Sequence, residues 1–376
     1  MIEVAGFRYQ VEGQLPSSFD AFRVPDAGEA DGEIRIIEKA FEDLDSVTGR
    51  GTHEELVVGR LKDGCWFYML TRYPEAAQMT ATPDYRKLCL YLPPEQNGKA
   101  QWINTVLLLR TAIECKFGEK GILSLHSACI QKDGEAVAFT GRSGMGKSTR
   151  ARAWHEALGA EWISGDRPAV DISGDSPAIC GVPWDGKEQL FVNARYPLKA
   201  ILEVRRGRET CVRRMTPAQA RKLLMQQTLM PMWDNDAAFR AWGVVNRLSK
   251  RARIYRVFCG PDGQAAREVY AILYRYPEKI MKAGKDMRIR DGFVLRQVMG
   301  EPVVMPTGDN IGKFEGAAVL NEVSEFIFNK LRNPICREDL LRAILEEYDV
   351  DEEKAGKDLD AFLKKLKDLD ILESEE

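Results

Sequence analysis

The chain has 376 residues, enough for two or three domains that each bury a core of their own. Apolar residues make up 44% and charged residues 30%, an ordinary globular composition that excludes a mainly disordered or fibrous chain. The 54 Lys and Arg residues nearly balance the 57 acidic ones, so the net charge of −3 gives no reason to expect nucleic acid or a membrane as a partner.

Cysteine usage and the N-terminus bear on the compartment. The eight cysteines are scattered without a C-x-x-C pair, which favours reduced thiols over disulfides or a zinc site. The opening stretch "MIEVAGFRYQVEG" lacks the apolar core of a signal peptide, and no apolar run is long enough to cross a bilayer. We therefore expect a cytoplasmic protein.

The first 112 residues read as a β-rich part. Three short runs, "EELVVGRL", "CWFYMLTRY" and "KLCLYLPP", predict β-strands. The next segment, "WINTVLLLRTAIECKF", predicts a helix because Ile103, Val106, Leu107, Arg110 and Ile113 recur at helical spacing. We expect an N-terminal part over 1–112, a core over 113–280 and a C-terminal domain over 288–376, with a lysine-rich linker at 279–287.

A glycine-rich segment in the core carries the clearest chemistry. Residues 141–148, here called the glycine loop, fit the Walker A pattern G-x-x-x-x-G-K-[ST], follow the apolar strand "AVAFT" and open a helix. Backbone N–H groups of such a loop hold phosphate, Lys147 reaches the outer phosphates, and Ser148 offers a hydroxyl to Mg²⁺. The expected nucleotide-binding residues are Gly141, Arg142, Ser143, Gly144, Met145, Gly146, Lys147, Ser148 and Thr149.

A hairpin before the loop places a histidine near it. If Asp133-Gly134 is a two-residue turn, the register sets His126 opposite Gly141, at the entrance of the glycine loop. A histidine there can contact phosphate or move a proton near neutral pH. A strand histidine with a purely structural role fits the pattern equally well.

Two further segments supply candidate residues. After the helix, "EWISGDRPAVDI" carries Asp166, which could hold Mg²⁺, accept a proton from an attacking hydroxyl, or cap a turn and pair with Arg167. Then "GVPWDGKEQLFVN" places Trp184 and Lys187 in a tight loop. That loop either closes over phosphate or substrate, or is a plain hairpin turn.

The C-terminal part changes character. "GFVLRQVMGEPVVMPTG" and "GAAVLNEV" predict three short strands, and three amphipathic helices follow. DNA binding is one function that such a set of short strands and helices could have. DNA is disfavoured here because the predicted helix over 337–348 carries Glu338, Asp339, Glu346 and Glu347.

The core resembles the HPr kinase/phosphorylase family and its relatives, whose P-loop kinase core is like that of phosphoenolpyruvate carboxykinase. "LHSACIQKDGEAVAFTGRSGMGKST", "ISGDRPAV" and "GVPWDGK" carry the resemblance over roughly residues 120–200. It implies an α/β fold, ATP, Mg²⁺ and phosphorylation of a serine hydroxyl, with His126, Lys147 and Asp166 as catalytic residues and Ser148 and Asp166 on the metal. The family often has two adjacent acids where this chain has Gly165-Asp166, which leaves open whether Asp166 is the base or the metal-side acid.

The last ninety or so residues resemble PqqD-type peptide-recognition domains, through "VVMPTG", "GAAVLNEVSEFIFNKL", "EDLLRAILEEYDVD" and "DLDAFLKKLKDLDIL" in family order. The resemblance implies a winged-helix-like α+β domain that binds the leader of a ribosomally made peptide as an added strand. The expected peptide-binding residues are Ala317, Ala318, Val319, Leu320 and Asn321 at a sheet edge, and Leu359, Phe362, Leu363 and Leu366 on the last helix.

Together these features predict an ATP-dependent kinase that modifies a Ser or Thr of a precursor peptide recruited through its leader. Two alternatives remain: a nucleotide-gated peptide chaperone without phosphoryl transfer, and a kinase of a small hydroxylated molecule. The sequence leaves open the peptide, the modified residue, the fate of the phosphate and assembly into a homo-oligomer.

Overall fold

The chain divides into two compact units, Met1–Lys282 and Ala283–Glu376. The computed structural model describes residues 1–53, 55–94, 98–184, 190–207, 209–282, 284, 286–311 and 318–374. Together the units are a mixed α/β structure with several sheets. Within the described ranges, each helix is too short or too polar to span a bilayer.

The first sheet of the first unit is built from the β-rich part. It confirms the three strands predicted from apolar runs, which become β5, β6 and β8. The sheet order is β1-β2-β3-β8-β7-β6-β5-β4. Its strands are β1 (Ile2–Val4), β2 (Phe7–Glu12), β3 (Gly32–Ile37), β4 (Thr48–His53), β5 (Leu56–Arg60), β6 (Trp66–Leu70), β7 (Gln78–Ala81) and β8 (Lys87–Tyr91).

Helix α1 (Gly98–Phe117) packs on this sheet through buried residues such as Leu108, Leu109 and Ile113. The predicted division at residue 112 falls inside α1. The same apolar core also takes in Ile122, Ala169 and other residues from the following segment, so α1 and the first sheet share their core with it.

The second sheet contains the predicted hairpin and glycine loop. Its order is β12-β10-β11-β15-β14-β13-β9, and β17 pairs with both β15 and β16. β11, β15 and β17 run parallel, and β10 runs antiparallel to this central group. β12 pairs antiparallel with β10 and so runs in the same direction as the central group. The strands are β9 (Ile122–Ser124), β10 (Ser127–Lys132), β11 (Glu135–Thr140), β12 (Glu161–Ser164), β13 (Ala169–Asp171), β14 (Ala178–Cys180), β15 (Arg195–Arg206), β16 (Cys211–Arg214) and β17 (Ile254–Cys259).

Helices cover both faces of the second sheet, as expected for parallel strands that are buried on both sides. Helices α2 (Lys147–Leu158) and α5 (Gly263–Tyr274) pack against one face of the sheet. Helices α3 (Pro217–Gln227) and α4 (Asn235–Arg251) pack against the opposite face.

The second unit has its own core. Three short strands and three amphipathic helices appear in the predicted order, and a second small sheet, β22-β18-β23, was not predicted. The other sheet has the order β19-β20-β21. The elements are β18 (Asp286–Ile289), β19 (Phe293–Val298), β20 (Glu301–Pro306), β21 (Ala318–Val319), α6 (Glu322–Leu331), β22 (Ile335–Cys336), α7 (Arg337–Glu347), α8 (Glu352–Asp368) and β23 (Leu372–Ser374).

Candidate functional site

The glycine loop connects the end of β11 to the start of α2. Gly141, Gly144 and Gly146 have φ values of 137°, 77° and 83°, which other L residues rarely adopt. Gly146 is the N-cap of α2, and a Cβ at this position would lie 2.7 Å from the Arg150 guanidinium. Because the N-cap is a glycine, it offers no side-chain acceptor, and the first N–H groups of α2 are left for an anion.

The other residues of the predicted nucleotide-binding set follow the loop outward. Arg142, Ser143 and Thr149 are exposed, whereas Met145 and Ser148 are half-buried. Ser148 is the second residue of α2, so its hydroxyl lies on the first turn of the helix beside Lys147. The loop therefore presents both exposed and half-buried side chains between and after its glycines.

Arg150, a residue that sequence reasoning missed, holds the loop in shape. Its buried guanidinium donates to the carbonyls of Met145 (2.8 Å) and Gly146 (3.4 Å) in the loop. It also donates to the carbonyls of Arg205 (3.2 Å) and Cys259 (2.8 Å) at the ends of β15 and β17. One side chain thus ties the loop to the two neighbouring parallel strands. The only sequence signal was an arginine on the buried side of α2.

Lys147 lies across the loop. Its Nζ donates a 3.1 Å hydrogen bond to the carbonyl of Gly141, the first residue of the loop. Partial burial lowers the pKa of Lys147 from its usual value, and the nearby Arg167 acts in the same direction, while Asp166 opposes the shift. The lysine is therefore positioned where the glycine loop begins, among charges of both signs.

The hairpin before the loop has the predicted register. Asp133 and Gly134 form the turn with φ values of 54° and 77°, and Ser127 pairs with Thr140. The paired ladder ends there, and one further step of the same register sets His126 opposite Gly141. Thr140 Oγ1 donates to the His126 carbonyl over 2.8 Å, which fixes the backbone of the histidine beside the loop.

The structure brings His126 and Asp166 together, although they come from separate segments: His126 lies between β9 and β10, and Asp166 between β12 and β13. His126 Nε2 lies 3.8 Å from Asp166 Oδ1, and each side chain is about one-third exposed. This distance is longer than a hydrogen bond, and the contact is one between opposite charges only when the imidazole is protonated. Burial lowers the pKa of His126, and the cations Lys147, Arg167 and Arg110 add to this, whereas Asp166 raises it. The net result favours a neutral imidazole that can accept a proton.

Arg167, the residue after Asp166, is hydrogen-bonded to Trp184. Arg167 has a left-handed φ of 52°, and its carbonyl accepts a 3.1 Å hydrogen bond from Trp184 Nε1. Trp184 is only 2% exposed and packs 6.2 Å from the ring of Phe117, measured between centroids. The buried Trp184 therefore supports the Asp166–Arg167 turn, and contact of this loop with phosphate or substrate stays a prediction. Lys187, from the same predicted loop, lies outside the described residues.

An ion pair on α1 between a half-buried arginine and a buried glutamate was also missed. Arg110 and Glu114 lie one turn apart, with Nε 3.9 Å from Oε1, and Glu114 accepts a 2.6 Å hydrogen bond from Ser124 Oγ. Burial raises the pKa of Glu114, and the charges of Arg110 and Arg167 oppose the shift. The sequence signal was available, because Arg110 occupied the apolar stripe of the predicted helix.

Metal binding was predicted through Ser148 and Asp166. Within the described ranges, no three His, Cys, Asp or Glu side chains cluster in a way that could hold a metal ion. The residues present still fit Mg²⁺ bound together with phosphate, because Mg²⁺ commonly uses one or two protein ligands and takes the rest from phosphate and water. The eight cysteines are free thiols.

In the second unit, the predicted sheet edge is short. β21 pairs antiparallel with β20 through Val303–Val319 and Val304–Ala318, and Leu320 N–H donates to the Pro302 carbonyl. Residues 318 and 320 therefore face β20, and the backbone groups of Val319 point away from it. Its side chain is 57% exposed. Ala317 lies outside the described residues.

Other predicted peptide-binding residues have structural roles. Asn321 is the N-cap of α6, because its Oδ1 accepts from Ser324 N–H. Four leucines expected at the surface are instead in the core of the second unit, and Phe362 is partly buried against it. Those leucines are Leu320, Leu359, Leu363 and Leu366. Their burial has a plain cause: the inner face of an amphipathic helix is needed first to bury its own domain. Peptide contact by these residues stays a prediction.

Comparison with known proteins supports the identity of the second unit. Residues 303–372 match the family model of the coenzyme PQQ synthesis protein D (PqqD), so the chain carries a C-terminal PqqD domain. A solved structure titled "TbiB1 in Complex with the TbiA(beta) Leader Peptide" is 27% identical. That similarity covers 23% of this chain and 94% of the other, with a TM-score of 0.20. No curated protein matches the chain.

Proposed function

We propose that this chain is an ATP-dependent kinase that phosphorylates a Ser or Thr hydroxyl of a ribosomally synthesised precursor peptide. One observation carries the proposal: three residues from separate segments meet at the glycine loop. Lys147 bonds to Gly141, His126 continues the hairpin register opposite Gly141, and Asp166 lies 3.8 Å from His126. A Walker A pattern with a proton acceptor beside it is what transfer of a terminal phosphoryl group requires.

The residues of the loop would bind the triphosphate. Backbone N–H groups of residues 141–148 and the start of α2 hold phosphate oxygens, and Lys147 exchanges its bond to Gly141 for one to the outer phosphates. Ser148 and Asp166 would hold Mg²⁺, which neutralises charge on the phosphates when bound. The open first turn of α2 supports this assignment.

The acceptor side is the His126–Asp166 pair. The lowered pKa of His126 keeps the imidazole neutral at neutral pH, so it can take the proton of an incoming hydroxyl. Asp166 then stabilises the imidazolium, or takes the proton directly. Both routes use the same 3.8 Å pair.

The PqqD domain would supply the substrate. We propose that it binds the leader as an extra strand at the Val319 edge, whose backbone groups point away from β20. A core serine or threonine then meets the kinase site at a local concentration on the order of millimolar through the tether. The kinase site itself needs little selectivity for the sequence around that hydroxyl.

The test is incubation of the full chain with ATP, Mg²⁺ and candidate precursor peptides, read by mass spectrometry for the gain of one phosphate. Lys147→Ala should abolish this gain and leave leader binding unchanged. ATP binding without phosphopeptide would favour a peptide chaperone, and ATP turnover with a small hydroxylated molecule alone would favour a metabolite kinase. Either result would overturn the proposal.

A further inference from the structure

Arg110 is a cation whose role the site described so far does not explain. It lies on α1 with its Nε buried, and no hydrogen-bond acceptor contacts Nε in the described part of the chain. Its closest carboxylate oxygen, Oε1 of Glu114, is 3.9 Å away, beyond hydrogen-bond range. A buried guanidinium N–H without an acceptor is costly, so its retention needs a reason.

The position of Arg110 points to the glycine loop. Its partner Glu114 accepts a hydrogen bond from Ser124 Oγ, two residues before His126 in the chain. The N–H of Leu125, the residue between them, donates to the carbonyl of Pro168, two residues after Asp166. The Arg110–Glu114 pair therefore lies beside the segments that carry His126 and Asp166, on an element that contributes nothing to the glycine loop.

Another arginine near the loop has its guanidinium bonded to a carboxylate. Arg205, whose carbonyl is bound by Arg150, bonds to Glu203 over 2.5 Å, and Arg256 bonds to the same carboxylate over 2.7 Å. Two arginines thus share one buried carboxylate at the end of β15. By contrast, the Glu114 carboxylate is close enough to Arg110 to orient the guanidinium, but it is too far away to accept a hydrogen bond from Nε.

We infer that Arg110 binds the phosphoryl group while it is transferred, and that Glu114 positions the guanidinium for this contact. The inference rests on the proposed kinase function and adds a residue to it. In the reaction, the bond from the terminal phosphorus to the bridging oxygen of ADP breaks, and ADP keeps the electron pair. A bond from phosphorus to the acceptor oxygen forms, and the hydroxyl proton passes to the His126–Asp166 pair.

The physical reason is the distribution of negative charge on the phosphoryl group during transfer. During transfer, negative charge spreads over the three outer oxygens of the phosphoryl group, and an arginine can donate two parallel N–H groups to such oxygens. Lys147 reaches these oxygens from the loop, and Arg110 reaches them from α1. The site would then bind the phosphoryl group most tightly when that group is planar, midway through the transfer.

The experiment compares wild type, Arg110→Gln and Arg110→Lys, all as full chains. Arg240→Gln is the matched control, because Arg240 also has a buried Nε without an acceptor in the described structure, yet it lies on α4 against Gly118, just after the end of α1. Affinities are measured for ADP alone and for ADP with fluoroaluminate, which mimics the planar phosphoryl group. Thermal unfolding checks that each variant folds.

We expect Arg110→Gln to bind ADP within about twofold of wild type, but to lose about 100-fold in affinity for ADP with fluoroaluminate and in transfer rate. Arg110→Lys should recover part of both, and Arg240→Gln should match wild type. Equal fluoroaluminate affinity in Arg110→Gln and wild type would overturn the inference. If wild type itself binds no nucleotide, the kinase proposal fails instead, so the two failures are distinguishable.

Discussion

Arg150 Nη2 and the carbonyl oxygen of Cys259 are joined by a 2.8 Å hydrogen bond across 109 residues of sequence. The same guanidinium holds Met145 and Gly146, so the shape of the glycine loop depends on the end of a distant strand. We expect Arg150→Gln to lower the free energy of unfolding by about 3 kcal/mol, because several carbonyls lose a charged donor.

Nucleotide affinity should fall in the same variant by at least about tenfold, since the loop is no longer held open for phosphate. Arg152→Gln, an exposed arginine on the same helix, is the control and should change neither quantity. Denaturant unfolding and calorimetric titration with ADP measure the two effects. Unchanged ADP affinity in Arg150→Gln would show that the loop keeps its shape alone.

The pH dependence of transfer should report on His126. Its ordinary pKa is 6.5, and burial together with three nearby cations lowers that value in the folded protein. The imidazole is therefore neutral above pH 6.5, and the transfer rate should fall only as the pH drops below this value. Rates measured over a pH series with saturating ATP check this.

Two variants sharpen this prediction. Asp166→Asn removes the charge that raises the pKa of His126, so any acid limb that survives should move to lower pH. His126→Gln should remove the limb and slow transfer by about 100-fold or more. An acid limb that persists unchanged in His126→Gln would assign it to another group.

Glu114→Gln should separate stability from activity. Burial raises the pKa of this carboxyl above its ordinary 4.5, so the folded state holds the proton more tightly than the unfolded state. Stability is consequently lost as the pH rises from 4.5 through the raised pKa. The neutral glutamine avoids this loss and keeps an oxygen for Ser124 Oγ, so the variant should be at least as stable as wild type at neutral pH.

Transfer by Glu114→Gln should nevertheless slow by about tenfold, because the charge that positions Arg110 is gone. Ser124→Ala is the comparison: it removes the 2.6 Å hydrogen bond and should destabilise the fold by about 1 kcal/mol. Urea unfolding across a pH series and single-turnover rates measure both. A variant that is both stable and fully active would exclude a positioning role for Glu114.

The sheet edge of the PqqD domain offers a backbone test. Val319→Pro removes the N–H that points away from β20, and Val319→Thr keeps both this N–H and the branched side chain. We expect the proline variant to lose at least about tenfold in leader affinity, and the threonine variant to bind like wild type. Fluorescence anisotropy with a labelled leader measures this. Equal binding by all three would place the leader elsewhere.

Local patterns made part of this structure predictable from the sequence. The Asp133-Gly134 turn fixed the hairpin register, and three glycines with a following lysine defined the loop, because both features depend only on neighbouring residues. The amphipathic helices of the second unit were predictable for the same reason, from their apolar spacing.

The missed features depend on contacts between distant segments. The acceptors of Arg150 are mostly backbone carbonyls, which leave no trace in residue type, and one of them follows more than a hundred residues later. The Arg110–Glu114 pair lay in a helix stripe that spacing alone treats as core. Leu359, Leu363 and Leu366 were expected to contact peptide, because their pattern does not distinguish a surface groove from the interior of the domain.

Helix α1 has a consequence for dissecting the protein. It packs on the first sheet, shares its core with Ile122 and Ala169, and carries Glu114, which is bonded to Ser124 near His126. A fragment that starts at the hairpin would keep every residue of the glycine loop, yet it would expose apolar surface where α1 had been and leave the histidine's flank open to water. The smallest fragment that keeps the site intact therefore has to include the β-rich N-terminal sheet, because this sheet supports α1.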